Sequence, residues 1–128
     1  MNEIFEKEIK TILKDEYLDF MESLQLPPVK AFYLNPLKQD PNKYLNQQYI
    51  QPHPVVQGGY YFDYEKYPLG KSPFFSCGLY YIQEPSAMLV AHFLDVQEDD
   101  YVLDMCGAPG GKSCAIASRL GNQGLMIT

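Results

Sequence analysis

The residues whose types and spacing could do chemistry lie together in Tyr101-Val-Leu-Asp-Met-Cys-Gly-Ala-Pro-Gly-Gly-Lys-Ser113. A β-rich apolar run leads into a Gly-rich turn, and the helix-forming residues 114–120 follow. Such a turn brings backbone N–H groups close to a ligand and serves phosphates, pyrophosphates or the nucleoside part of a cofactor. The phosphate reading fails on three counts. A phosphate loop needs Gly, four residues, then Gly-Lys-Ser, and Cys106 stands where the first Gly should be. Pro109 has no N–H to donate, and Asp104 at the mouth of the turn would repel a phosphate. A cofactor with a cationic centre, an amino group, a ribose and no phosphate reverses those signs. Asp104 then attracts, and Gly107, Gly110 and Gly111 allow close approach. S-adenosylmethionine is such a cofactor. A purely structural turn between strand and helix satisfies the same spacing.

The elements that must position this turn are legible to either side of it. Gly121 and Gly124 end the helix and residues 125–127 begin another strand, so the pattern opens a βαβ unit. A doubly wound sheet needs several more parallel strands, which places Thr128 inside a domain. Upstream, Pro85 starts a helix carrying Met88, Leu89, Ala91, His92 and Phe93, after a strand over residues 79–82 that Gly78 opens. Over residues 51–76 Pro and Gly punctuate a run of aromatics, which predicts short strands joined by turns. Asp40-Pro41 has the form of an N-cap with Pro at the first position of a short helix through Leu45. Residues 30–34 alternate as a short strand closed by Asn35-Pro36. Phe5, Ile9, Ile12, Leu13, Tyr17, Phe20, Met21 and Leu24 recur at spacings of three and four, which predicts one helix over residues 4–24, stopped by Pro27 and Pro28.

The 128 residues make about one domain, with 46% hydrophobic and 20% charged residues, ordinary values for a folding chain. Ten Lys and Arg against sixteen Asp and Glu give a net charge of −6, a poor footprint for an autonomous nucleic-acid binder. Residues 26–83 differ: five lysines (Lys30, Lys38, Lys43, Lys66, Lys71) face three acids, a local net of +2. No apolar run has the length of a membrane span, and residues 1–10 lack the pattern of a secretory signal. Three cysteines at irregular spacing suit reduced thiols, so the expected compartment is the cytoplasm.

Other chemically capable residues have plainer readings. Cys77 and Cys114 read as buried apolar residues. Together with His53 and His92 they show no metal-ligand spacing. Cys106, at a helix start, has no nearby His to act as base, so a contact role fits it better than a nucleophile's. His53, between two prolines, reads as a loop residue, and Glu98, Asp99 and Asp100 as a solvated turn. Tyr60, Tyr61, Phe62, Tyr64 and Tyr67 either stack on unpaired bases or fill a small core, and strand alternation favours the core.

Tyr81-Ile-Gln-Glu-Pro-Ser-Ala-Met88, followed by the Gly-rich turn about twenty residues on, resembles the RNA cytosine-5 methyltransferases of the Nop/Sun type, and most closely the bacterial RsmF-like rRNA enzymes. The resemblance implies an α/β chain. Its N-terminal α+β, RNA-facing module covers residues 1–78, and residues 79–128 are the truncated start of a Rossmann-like methyltransferase domain. It implies that S-adenosylmethionine is held by Asp104, Cys106, Gly107, Ala108, Pro109, Gly110, Gly111 and Lys112. Gly107 and Ser113 replace the family's Ala and Thr, and Tyr33 stands where the family places an Arg that contacts the RNA backbone. The family's nucleophilic Cys, its second Cys and its ribose-binding acid lie beyond the turn, hence beyond Thr128. The 128 residues alone are therefore expected to be inactive, with no catalytic residue among them. RNA, of the ribosomal class, is the implied partner, with self-association through unfinished sheet edges. A self-contained RNA-binding or scaffolding module with a relic cofactor loop is the alternative.

Overall fold

The computed structural model describes residues 2–38, 41–121 and 123–128. Helix α1 (Glu3–Leu13) is capped by the Asn2 side chain, which accepts the Ile4 N–H at 2.8 Å. The single helix expected over residues 4–24 is broken. Lys14 adopts φ +50°, a 3-10 turn covers Lys14–Glu16, and α2 (Tyr17–Ser23) follows. The acids Asp15 and Glu16 thereby occupy the start of a new helical segment, where they are favoured, and not the middle of an old one. No residue of either helix is buried, and Ile4, Ile12 and Leu18 are each about 70% exposed.

Four antiparallel strands follow. They are β1 (Ala31–Leu34), β2 (Ile50–Pro52), β3 (Gly59–Phe62) and, after a short helix α3 (Pro73–Ser76), β4 (Tyr80–Gln83), in the order β2-β3-β1-β4. β1 is the central element, with Phe32 opposite Tyr60 on β3 and Ile82 on β4. All four of its residues are buried. On one face Phe32 and Leu34 pack with Leu45, Ile50, Phe62, Leu69, Leu79 and Tyr80. The Phe32 ring lies 5.4 Å from Tyr60 in a stacked pair and 5.8 Å from Phe62 edge-on. On the other face Ala31 and Tyr33 join Val56, Met88, Ala91, Val96, Ala115 and Ile116.

The strands expected through Ser76 end at Phe62. Residues 69–76 are helical turns instead, because Ser72 is an N-cap whose hydroxyl accepts the Phe74 N–H at 3.2 Å, with Pro73 at the first helical position. Pro41–Tyr44 form a 3-10 turn, and the expected cap Asp40 lies outside the described residues.

The second face of the sheet is covered by α4 (Pro85–Leu94) and α5 (Gly111–Ala117). Glu84 caps α4, accepting the Ala87 N–H at 3.0 Å and the Ser86 hydroxyl, and the Ser86 contact holds its carboxyl below the ordinary value. Arg119 donates to the Ala91 carbonyl at 2.8 Å and ties α5 to α4. β5 (Tyr101–Leu103) and β6 (Leu125–Ile127) pair in parallel across α5, with Val102 opposite Met126. Val102 and Met126 pack on the shared core, whereas Tyr101, Leu103, Leu125 and Ile127 are exposed. Among the described residues no helix is long and apolar enough to cross a membrane.

Phe32 carries the largest fully buried side chain, so Phe32→Ala is expected to cost about 3–5 kcal/mol in urea unfolding. Leu18→Ala, on the exposed arm, should change stability by only about 0.5 kcal/mol.

Candidate functional site

The turn from β5 to α5 is organised by Asp104. Its backbone N–H continues the ladder, donating to the Ile127 carbonyl at 2.8 Å. One carboxylate oxygen accepts the Cys106 N–H at 2.9 Å and the other accepts the Ser113 hydroxyl at 2.7 Å. The Ser113 hydroxyl also lies 3.1 Å from the Gly107 carbonyl, so its single proton serves one acceptor at a time. Asp104 thus joins both ends of the turn. The Ser113 hydrogen bond, then the Cys106 N–H, then the Lys112 charge hold its carboxyl below the ordinary value.

Two glycines have specific reasons. Gly110 sits at φ +105°, a left-handed conformation that side chains disfavour. Gly111 is buried against β4: a Cβ there would lie 3.0 Å from the Tyr81 ring and 3.1 Å from Gln83 Nε2. Tyr81 in turn donates its hydroxyl to the Pro109 carbonyl at 3.1 Å. Between β4, the start of α4 and the turn lies a cleft of about 260 Å³, lined in part by Gln83, Ala87, Cys106 and Lys112.

Seven of the eight predicted site residues, 106–112, line this one cleft, and Asp104 braces the turn from behind it. Sequence reasoning missed Tyr81 and Gln83 as its opposite wall, although the Tyr81–Met88 block was itself noticed. The available signal was their alternation with Tyr80 and Ile82, which sends one pair to each face of β4.

Several readings outside the cleft are resolved. Cys77 and Cys114 are exposed, contrary to expectation, as is Cys106. Cys77 ends the short α3 on a turn, and Cys114 lies on the outward side of α5, opposite the buried Ala115 and Ile116. His53 is a loop residue whose Nδ1 accepts the N–H groups of Val55 and Val56. Of the aromatics, Phe62 is buried, Tyr60 and Tyr67 pack against that core, Tyr61 stacks on His53, and Tyr64 is 56% exposed. Tyr33 is a core residue. Among the described residues no group of three His, Cys, Asp or Glu is placed to hold a metal ion.

Because the Asp104 carboxyl is depressed, the turn is fully held above the ordinary Asp range, roughly pH 4, and loosens as pH falls through the lowered value. Removing the donor in Ser113→Ala is expected to move the Asp104 titration, followed by carboxyl-carbon NMR, upward toward the ordinary range. An unchanged midpoint would show that the hydroxyl does not act on the carboxylate.

Comparison with known proteins agrees with this architecture. Residues 1–85 match the family described as the N-terminal domain of 16S rRNA methyltransferase RsmF. Ribosomal RNA small subunit methyltransferase F of Vibrio vulnificus is 35% identical over 136 aligned positions, covering 98% of this chain and 29% of that protein. The Erwinia tasmaniensis protein of the same name is 35% identical over 123 positions, covering 88% of this chain and 26% of its own length. The chain thus spans less than a third of these relatives. A crystal structure of a methyltransferase homolog protein from Pyrococcus horikoshii superposes with a TM-score of 0.82 at 27% identity, over 98% of this chain and 43% of that one. The cleft, the sheet that backs it and the match over residues 1–85 lead to one conclusion: this chain belongs to the RsmF family of rRNA methyltransferases and corresponds to its N-terminal part.

Proposed function

We propose that these residues are the N-terminal part of an S-adenosylmethionine-dependent rRNA cytosine-5 methyltransferase that works in the cytoplasm. Residues 1–78 supply an RNA-facing module and residues 79–128 the start of a Rossmann-like domain, although β4, which falls in the second stretch, pairs antiparallel with β1 of the first. The observation that carries this reading is the Asp104-braced glycine turn from β5 to α5, facing a cleft, in a chain of this family.

The residues present fit the cofactor. Gly110, with open space where a Cβ would stand, leaves its part of the turn bare, and Asp104 stays ionised, the sign that suits a sulfonium and an amino group. Residues 106–112 would hold the cofactor, with Asp104 fixing their conformation and contributing its negative charge. Bound there, S-adenosylmethionine supplies an electrophilic methyl group. The side chains of this chain bind and orient; the family's nucleophile is not among them.

RNA contact is best supported at a second cleft of about 390 Å³ on the sheet module, lined by Lys30, Lys66, Gln48, Gln51 and Tyr61. Lys66 also pairs with Asp63 at 3.2 Å, which leaves Lys30 as the stronger phosphate partner. This cleft equally supports the second reading, an RNA-binding module in its own right. The bare apolar face of β5 and β6 supports self-association, read by light scattering as a dimer or larger species.

In a titration followed by NMR, S-adenosylmethionine is expected to shift the amides of residues 106–108 and 110–112, with binding weaker than micromolar. The 128 residues should transfer no labelled methyl group to 16S rRNA. A response to ATP but not to S-adenosylmethionine would overturn the cofactor reading. Salt-dependent RNA binding without any cofactor response would favour the binding-module reading.

A further inference from the structure

We propose that Tyr81, on the edge strand of the N-terminal sheet, is a positioning residue for the glycine turn, so that this sheet sets cofactor affinity; the proposal rests on the cofactor reading above. β4 hydrogen-bonds to β1 along one edge only, and its residues divide between two environments. Tyr80 and Ile82 belong to the aromatic core, whereas Tyr81 and Gln83 form the wall on which the turn lies.

The turn is fixed to that wall by two independent contacts. The first is the hydrogen bond from the Tyr81 hydroxyl to the Pro109 carbonyl at 3.1 Å. Pro109 has no N–H, so its carbonyl is its only backbone hydrogen-bonding group. The peptide that follows is planar and trans, so fixing this carbonyl also fixes the Gly110 N–H on the opposite side of the same plane, directed away from the carbonyl's partner. Gly110 is the residue with the widest conformational freedom in the turn, and here its φ is +105°. The hydroxyl therefore determines how the most adjustable N–H of the turn is presented.

The second contact is steric. Gly111 is pressed so closely on Tyr81 and Gln83 that an added Cβ would stand 3.0–3.1 Å from both. At the same contact Gln83 Oε1 is buried with no hydrogen-bond partner among the described residues, an acceptor that the wall leaves open. Neither residue belongs to the turn by sequence. Both reach it because β4 pairs with β1 in the register Tyr81 to Tyr33 and Gln83 to Ala31.

The test uses Tyr81→Phe, which keeps the ring against Gly111 and removes the hydroxyl alone. Amide hydrogen exchange at Gly110 and Gly111 is expected to rise about fivefold, with a similar loss of S-adenosylmethionine affinity by NMR titration, the size of one lost hydrogen bond. The thermal midpoint should fall by no more than about 5 °C, because only this one hydrogen bond is lost on global unfolding. Gly111→Ala, which pushes the turn off the wall, should weaken cofactor binding in the same direction in a chain that still folds. A lowered thermal midpoint without selective exchange at the turn would reduce Tyr81 to a packing residue and overturn the proposal, as would unchanged exchange and affinity. If the unaltered chain gives no response to S-adenosylmethionine, the cofactor reading falls by itself, and the exchange measurement still decides whether Tyr81 positions the turn.

Discussion

The structure depends on β1 being apolar on both faces. A strand of four residues, all buried, cannot lie at the surface of a small module; it needs a layer above and a layer below. Phe32 and Leu34 obtain one layer from the aromatic cluster of the sheet's own loops. Ala31 and Tyr33 obtain the other from α4 and from α5, the helix that links the parallel strands β5 and β6. The sheet and the later helices therefore share one core layer. That shared layer brings the glycine turn against β4 and gives the cleft its second wall.

Within the turn, shape is maintained by charge as well as by packing. Asp104 spends one carboxylate oxygen on a backbone N–H and the other on Ser113, across nine residues of sequence. Each of these bonds is modest in a solvent-accessible place, but together they close both ends of a segment whose glycines would otherwise be the loosest part of the chain. The same carboxylate retains lone pairs for a further donor, so bracing the turn does not exhaust it.

The sequence announced the local devices and concealed the tertiary ones. Pro85 after Glu84 marked the start of α4, and the apolar run before Cys106 marked β5, because caps and short periodicities are written in neighbouring residues. The break at Lys14 escaped, since spacings of three and four continue through it and only the placement of Asp15 and Glu16 hinted at a second start. The partnership of β4 with β1 also escaped: an edge strand of an antiparallel sheet and a first strand of a parallel one read alike over four residues. For the same reason residues 106–112 were legible as one turn, while the Tyr81 and Gln83 wall facing it across the cleft was not. The exposure of Cys77 and Cys114 was hidden as well, because a cysteine's type says little about which side of a helix or turn it occupies.

Net charge, too, is an average over unlike regions. An overall charge of −6 argues against contact with RNA only if the charge is spread evenly, and it is not. Seven of the sixteen acids lie in residues 3–22, on the arm of α1 and α2, which packs no buried residue against the sheet. Five more lie in residues 84–100, among the cap and the acidic turn that flank α4. Charge interactions at physiological salt are screened over about 8 Å, so the field at the Lys30 cleft is set mainly by the charges that line it, Lys30 and Lys66 against Asp63. The same acids still weigh against binding by long-range attraction alone. The RNA contact proposed for this module would then rest on short-range contacts at the Lys30 cleft, where lysines, an aspartate, a tyrosine and amide side chains line one space.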